Sequence, residues 1–523
     1  MQGSNVDFEQ LSSLVHLTNL TSLFVPSVVG SNSETALPTN HFFFAQLQSL
    51  ESLRLGFRGI TFDRMFPVGS ACIRLKRLNL VLCSSLQFPD EIGELLPSLQ
   101  ELTATFCTFR APLPQQFTTL RCLYNLILSA CNVLLPGNFG KLPALKTLAL
   151  VSLPLSTLPA TFCQLTSLET LVLSRCQDFQ QLPRHFSALT GLKTLCFMKM
   201  PDLSLPEGIG ELANLQTFIL RSSNTGPFVF PPSFSCLSSL ARLELDGCLA
   251  SELPQGMGSL TKLQEVYIHS CPNIRELPES IVSCMGLQVL SICDCSGLSS
   301  VPRSLDRLTR LTKLELSGCN QLTAVPERLP GSLEVLGLGN KERTVRLPDI
   351  STLTKLKQLS LGIINVTDGL AVSRSLSNLK HLALSVVEGS TELPFPLAYL
   401  SSLRSLTIRD AGSMKKIPED LSSTLQHLRA LVILRADELK ELPESITELQ
   451  QLRTLRVHTQ NLACLPAKLY ALSRLRTLDL SDCSSLICSF SSSHPSILPR
   501  YYGGSRLQQL FATLHNAEQP HET

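Results

Sequence analysis

The chain has 523 residues, of which 44% are hydrophobic and only 16% are charged. This apolar content is that of a folded protein and excludes an intrinsically disordered chain. Its 44 Lys and Arg residues against 42 Asp and Glu residues give a net charge of +2, which excludes a strong field for nucleic acid or anionic lipid. Eighteen cysteines in a chain of this length are too few for a disulfide-stapled scaffold.

The N-terminal residues carry neither the basic start nor the apolar run of a secretion signal. No stretch of about 18 apolar residues occurs, so we expect no membrane insertion. Together these features predict a reducing compartment and a cytoplasmic location.

One unit, L-x-x-L-x-x-L-x-L, repeats along the chain, for example from Leu120 to Leu128 and from Leu165 to Leu173. We call its third apolar position the marker. The marker occurs 20 times with a mean spacing close to 24 residues, at positions 23, 53, 78, 102, 126, 148, 171, 195, 218, 243, 266, 290, 314, 336, 359, 382, 406, 431, 455 and 478. Leucine-rich repeats have a period of about 20–29 residues. We therefore predict an α/β leucine-rich repeat solenoid of about 20 repeats, a curved right-handed superhelix with a parallel sheet on its concave face.

Each part of the unit has a structural interpretation. The L-x-L pair alternates with period two, which predicts a short strand with one buried face. An apolar residue and then Pro follow in most units, as in Leu158-Pro159 and Leu277-Pro278, and predict a turn into the convex segment. The next apolar residue is expected to fill the convex side of the core on a 3₁₀ or helical turn. Such residues are Phe117, Phe139, Phe162, Phe186, Ile209, Phe234, Met257, Ile281 and Ile446.

Cysteine recurs five positions after the marker, where leucine-rich repeats usually place Asn or Cys. These residues are Cys83, Cys107, Cys131, Cys176, Cys248, Cys271, Cys295, Cys319 and Cys483. We predict buried, reduced thiols that satisfy backbone groups of the loops. A redox or zinc site is the alternative, but structural zinc sites use paired spacings that this ladder lacks.

The repeat ends at Cys483, which predicts a solenoid over residues 1–483 and a separate segment over 484–523. That segment is rich in serine. Its residues Leu507, Leu510, Phe511 and Leu514 have helical spacing and predict a capping helix, followed by a polar tail.

No pattern in the chain carries catalytic chemistry. The one Gly-Lys pair, Gly140-Lys141, is followed by Leu142 where a nucleotide-binding loop needs Ser or Thr. Zinc-protease, hydrolase and kinase signatures are also missing. We expect no enzymatic activity, no cofactor and no metal site.

Several units resemble the repeats of plant intracellular nucleotide-binding leucine-rich repeat disease-resistance proteins. They include LELSGCNQLTAVP at 314–326, LDLSDC at 478–483 and LPEGIGEL at 205–212. The resemblance covers residues 10 to about 483 and only the sensor half of those receptors, so nucleotide-driven switching is not implied. It implies protein recognition in intracellular defence signalling.

The Leu-Pro pattern is shared with the repeats of Ras-pathway scaffolds, and a scaffold in a signalling complex is therefore the alternative function. An enzyme fused to repeats would need a further domain, and about 40 residues after the last repeat are too few for one.

Strand positions beside the marker are expected to face solvent and to form the binding face. From 126 to 198 they are mostly small or apolar, and they then become polar. The predicted binding residues are Arg221, Arg242, Glu244, Asp246, Glu265, Tyr267, His269, Lys313 and Glu315. A solvated sheet face explains any one of them, so the prediction depends on the set.

Both charge signs are present in this set, which suits a protein partner better than a phosphate backbone. The expected partner is an effector, a signalling protein or a nucleotide-binding receptor domain, and not a nucleic acid.

Overall fold

The computed structural model describes residues 6–7, 16–29, 47–58, 62, 66, 71–200, 203–221, 228–322, 325–339, 345–362, 364–365, 376–385, 393, 397, 399–419, 421–486 and 502–503. The chain divides into two compact units, Met1–Gln264 and Glu265–Thr523. The predicted capping helix lies outside the described residues.

The first unit contains ten repeat strands, each carrying one marker. They are Ser22–Val29, Ser52–Arg58, Arg77–Val81, Glu101–Thr105, Asn125–Ser129, Thr147–Val151, Thr170–Ser174, Thr194–Met198, Thr217–Arg221 and Arg242–Asp246. Consecutive strands are parallel, and markers pair with markers, as in Leu126 with Leu148 and Phe218 with Leu243. A two-residue strand, Val6–Asp7, pairs with the end of the first repeat strand.

The second unit also contains ten repeat strands. They are Glu265–His269, Val289–Cys293, Lys313–Ser317, Val335–Gly339, Gln358–Leu361, His381–Ser385, Ser405–Arg409, Ala430–Leu434, Thr454–His458 and Thr477–Asp479. These strands are parallel and in marker register, as in Leu290 with Leu314 and Leu455 with Leu478. Val345–Arg346 pairs in parallel with Ile364–Asn365, and Tyr502–Gly503 adds an antiparallel strand to the last repeat.

The predicted period and parallel strands are confirmed by this arrangement. Nineteen marker residues are buried, and Leu23 is partly exposed. Within each unit the marker strands therefore turn their marker side chains into the core.

The convex segments are 3₁₀ turns, as the spacing predicts. They span Gln115–Thr119, Phe139–Lys141, Ala160–Gln164, Phe186–Ala188, Glu207–Glu211, Pro232–Cys236, Met257–Ser259, Glu279–Ser283, Leu305–Arg307, Glu444–Glu448 and Leu469–Ala471. Two short α-helices, Ile92–Leu95 and Leu421–Thr424, occupy the same place in their repeats. The proline carbonyl accepts the first bond of many turns, as from Phe162 N–H to Pro159 O at 2.8 Å. The apolar residue three positions later is buried in each predicted case, so it fills the convex side of the core.

The nine ladder cysteines are all buried, as predicted. In seven of them Sγ donates to the carbonyl of the residue two positions after the marker in the preceding repeat, at 3.2–3.8 Å. Cys107, for example, donates to Leu80 O. The thiol thus ties each loop to the coil before it. Burial raises the pKa of the Cys176 thiol, which keeps the thiol protonated as a donor.

The residue four positions after the marker has a left-handed backbone before all nine ladder cysteines and in four further repeats, which the sequence does not predict. Thirteen such residues have φ between 51° and 73°, and only Gly247 and Gly318 among them are glycines. In nine of them the N–H donates at 2.7–3.1 Å to the carbonyl three residues after the marker in the following repeat, as from Phe106 to Ser129. A left-handed conformation costs a non-glycine residue about 1–2 kcal/mol. At six of these loops the bond to the next coil and the thiol bond to the previous one together offset that cost.

Candidate functional site

Three outward positions on each repeat strand form three rows across the sheet. The entry row is the residue before the marker, the centre row is the residue after it, and the exit row lies three residues after it. Strand alternation places all three on the face opposite the buried leucines. The nine predicted binding residues all lie in these rows, and the domain division separates them into two clusters.

In the first unit, Glu244 is held between two arginines. Glu244 is only 7% exposed. Arg242, in the entry row of the same strand, donates from Nη2 to Glu244 Oε2 at 2.8 Å. Arg221, in the exit row of the preceding strand, donates from Nε and Nη2 to Glu244 Oε1. Two guanidinium groups therefore bracket one carboxylate.

The sequence-based expectation that Glu244 faces solvent is wrong, because Glu244 is buried and bonded to its two arginine partners. Burial by itself raises the pKa of this carboxyl, but the hydrogen bonds from Arg242 and Arg221 outweigh burial and hold the pKa below its ordinary value. Asp246 pairs in register with Arg221 and is partly buried. Glu244 thus orients the arginines, and Arg221 keeps 46% of its side chain exposed.

In the second unit, Ser291 links two of the predicted residues. Ser291 is 1% exposed and donates from Oγ to Glu315 Oε2 at 2.7 Å. His269 Nε2 lies 3.1 Å from the same Oγ. Because Ser291 gives its proton to Glu315, its oxygen accepts from a protonated Nε2 of His269. Lys313 Nζ lies 3.1 Å from Glu315 Oε2 and completes the cluster.

The remaining members of this cluster are Tyr267, Cys293 and Glu265. The Tyr267 and His269 rings pack edge to face with centroids 6.1 Å apart. Cys293 Sγ lies 3.7 Å from Ser291 Oγ, and burial is the main cause that raises the pKa of this thiol. A protonated thiol is a poor nucleophile. Glu265 is partly exposed in the entry row. The cluster therefore holds side chains in place and shows no activated nucleophile.

A third polar cluster, which sequence reasoning missed, lies on the last strands of the second unit. Asp479 is 4% exposed and accepts from Ser481 N–H at 3.1 Å and from Ser481 Oγ. His458 Nε2 and Arg456 Nε lie 3.3 and 3.8 Å from Asp479 Oδ2. Burial raises the pKa of Asp479, but the hydrogen bonds from Ser481 and the nearby His458 ring outweigh burial and lower it.

The three clusters share one geometry. In each, an exit-row side chain reaches diagonally to a buried centre-row side chain on the next strand: Arg221 to Glu244, His269 to Ser291 and His458 to Asp479. Diagonal neighbours in a sheet are within reach of long and aromatic side chains. The signal in the sequence is a polar residue after the marker with a complementary one three positions after the preceding marker, and it would have found Ser291 and Asp479.

No group of three or more His, Cys, Asp and Glu side chains in the described residues is placed to hold a metal ion. None of the helices within the described ranges is long and apolar enough to cross a membrane.

Comparison with known proteins identifies the fold. No protein-family model and no curated protein matches the sequence, but solved structures do. The Arabidopsis receptor kinase HAESA, solved in complex with the peptide hormone IDA and the co-receptor SERK1, is 20% identical, with a TM-score of 0.51 over 89% of this chain and 83% of that one.

Two bacterial proteins are also similar. A leucine-rich repeat protein of Leptospira interrogans is 19% identical, with a TM-score of 0.49 over 95% of this chain and 99% of that chain. The functional domain of InlJ from Listeria monocytogenes, described as including a cysteine ladder, is 21% identical, with a TM-score of 0.44 over 65% of this chain and 69% of that one. Together with the 20 marker strands, the similarity to solved structures shows that the chain is a leucine-rich repeat solenoid.

Proposed function

We propose that this chain is a protein-recognition module that binds its partner through the outward face of the repeat strands. The observation that carries the proposal is the diagonal pairing, which fixes polar side chains before any partner arrives. Pre-oriented side chains lose little freedom on binding, so more of their interaction energy appears as affinity. Arg221 and Tyr267 belong to residue types favoured as interface anchors.

The role that fits the repeat subtype is intracellular defence signalling of the plant type, in the cytoplasm. The partner is then an effector, a signalling protein or a nucleotide-binding receptor domain. The proposal assigns the chain no catalytic step and no cofactor, because the polar clusters serve to orient side chains. The mixed charges of the face favour a protein partner over nucleic acid.

The test uses crosslinking from two tyrosines. A photoreactive phenylalanine derivative replaces Tyr267 on the sheet face or, as the matched control, Tyr470 in the Leu469–Ala471 turn. We expect full-length protein in plant cell extract to capture a partner from position 267 and not from 470. In purified complexes, Tyr267→Ala should then weaken binding by about 1–4 kcal/mol.

Two outcomes would change the proposal. Capture from position 470 alone would place recognition on the convex side and overturn it. If only signalling enzymes are recovered from position 267, the face still binds protein, but the chain acts as the scaffold of a signalling complex.

A further inference from the structure

The first unit carries an uncharged strip on its sheet face. Five strands, from Asn125–Ser129 to Thr217–Arg221, present fifteen outward positions, and Arg221 is the one charged residue among them. The centre row contains Ile127, Ala149, Val172, Cys196 and Ile219, which pair in register. All but Cys196 remain partly exposed. A face of this kind binds groups that give up little hydration.

The flanking rows add hydroxyl groups to this strip. The entry row runs from Asn125 through Thr147, Thr170, Thr194 and Thr217, all partly exposed. Each threonine hydroxyl can donate one hydrogen bond and accept two. The strip therefore offers an apolar row beside a polar, neutral row, which suits the alternating side chains and the backbone of an extended segment.

Side chains of opposite charge lie at the two ends of the strip. At one end Glu101 accepts a 2.6 Å bond from Tyr124 Oη, and this bond raises the pKa of the tyrosine. At the other end Arg221 is fixed by the buried Glu244 and stays 46% exposed. Five strand steps of about 4.8 Å separate the two ends, a span of about 24 Å. An extended chain advances about 3.3 Å per residue, so about seven residues cover it.

We infer that this strip binds an extended, uncharged segment of about seven residues of a partner protein, with an acidic residue placed at Arg221 and a basic residue at Glu101. The inference deepens the proposed function and rests on it: it assigns the chemistry of the partner and the direction in which the segment lies. A segment charged in its middle is excluded, because its charge would lose hydration over Ile127, Ala149 and Val172 without gaining a partner.

The experiment probes the purified full-length chain with random nonapeptides displayed on phage. We expect enriched peptides with an uncharged middle, an acidic residue toward one end and a basic residue toward the other. Binding of the synthesised peptides should fall at least about tenfold in Val172→Lys, which places a charge in the centre row, and about threefold or more in Arg221→Gln. The matched control is Val432→Lys, at the same centre-row position of the Ala430–Leu434 strand in the second unit, which should leave affinity unchanged.

Every variant is checked for an unchanged circular dichroism spectrum and melting temperature, and Ala149→Lys replaces Val172→Lys if the latter is unfolded. Enrichment of peptides charged in the middle overturns the inference, as does the absence of enriched peptides. Peptides that are insensitive to Val172→Lys but are lost in Tyr267→Ala also overturn it, and they leave the proposed function standing. Peptides that bind the strip as described support the inference even if crosslinking from Tyr267 fails.

Discussion

The polar clusters around Glu244 and Ser291 lie in the same row of the repeat, but they provide the buried centre-row side chain with different hydrogen-bond partners. In both, the centre-row side chain is nearly inaccessible, at 7% and 1% exposure. Glu244 brings a charge into this place and takes two arginines as partners. Ser291 brings a neutral hydroxyl and joins a histidine to a carboxylate that is itself more exposed.

The difference shows where charge is tolerated on this face. A buried carboxylate needs charged, well-oriented donors because its desolvation is costly, and the arginines that supply them remain half-exposed at the surface. A buried hydroxyl needs only ordinary hydrogen bonds. Replacing each group should therefore cost a different amount, and the predictions below test that order.

The largest effect is expected for Glu244→Gln. The amide keeps the shape of the side chain but removes the charge that draws Arg221 and Arg242 together. The free energy of unfolding should therefore fall by about 2–3 kcal/mol, measured as a lower midpoint of urea unfolding. Because the folded pKa of this carboxyl lies below its ordinary value of 4.5, its stabilisation is present above that pH. It is lost as the pH falls through the folded pKa. Unfolding curves at pH 7 and pH 3 should thus differ less in the variant than in the parent.

The matched control is Glu438→Gln, since Glu438 is 52% exposed and lies 3.9 Å from Lys415. The free energy of unfolding should fall by less than about 1 kcal/mol in this variant. Equal losses in Glu438→Gln and Glu244→Gln would contradict the assignment of Glu244 as the residue that orients the arginines.

A smaller effect is expected for Ser291→Ala. This change removes the hydroxyl that Glu315 and His269 share and should cost about 1–2 kcal/mol in chemical denaturation. Ser360→Ala, at the same row position but partly exposed, should cost less than about 0.5 kcal/mol. A double-mutant cycle with Glu315→Gln should give a coupling energy above about 0.5 kcal/mol. Additive losses would show that Ser291 and Glu315 act independently.

The smallest effect is expected for Lys313→Gln. The Lys313 side chain is 34% exposed and bonds to Glu315 from the rim of the cluster. Exposed pairs contribute about 0.2–1 kcal/mol, so the loss should be smaller than for Ser291→Ala and should shrink further in 0.5 M salt. If Lys313→Gln lowered the free energy of unfolding more than Ser291→Ala does, the exposed lysine would contribute more to the second cluster than the buried hydroxyl, contrary to this prediction.

The fold was predictable from the sequence because one signal repeats 20 times and each repeat constrains the same geometry. The strands, the marker register, the 3₁₀ turns and the buried thiols all follow from it. The left-handed residue before each ladder position did not follow, since Leu82, Phe106 and Arg175 carry no glycine-like signal. That conformation arises from hydrogen bonds to a neighbouring coil, which a local pattern does not show.

The candidate site was predictable only in part. Alternation placed Arg221 and Tyr267 on the outward face, but it could not tell that Glu244 is buried or that Ser291 matters. Burial in the centre row depends on the length of side chains on neighbouring strands, which come from residues more than twenty positions away. The shared position of Glu244, Ser291 and Asp479 becomes visible only after the strands are in register.

The paired bonds found at six of the loops also determine how such a chain changes length in evolution. The ladder thiol reaches back to one coil while the left-handed N–H next to it reaches forward to another. Deleting a single residue between marker and thiol would put both groups out of phase with their acceptors. Duplicating or losing an entire coil leaves every surviving donor opposite an equivalent acceptor. The stretch from marker to thiol is therefore fixed in length and the outward face grows or shrinks by one strand at a time, whereas the rest of the repeat varies, with marker spacings from 22 residues (126 to 148) to 30 residues (23 to 53).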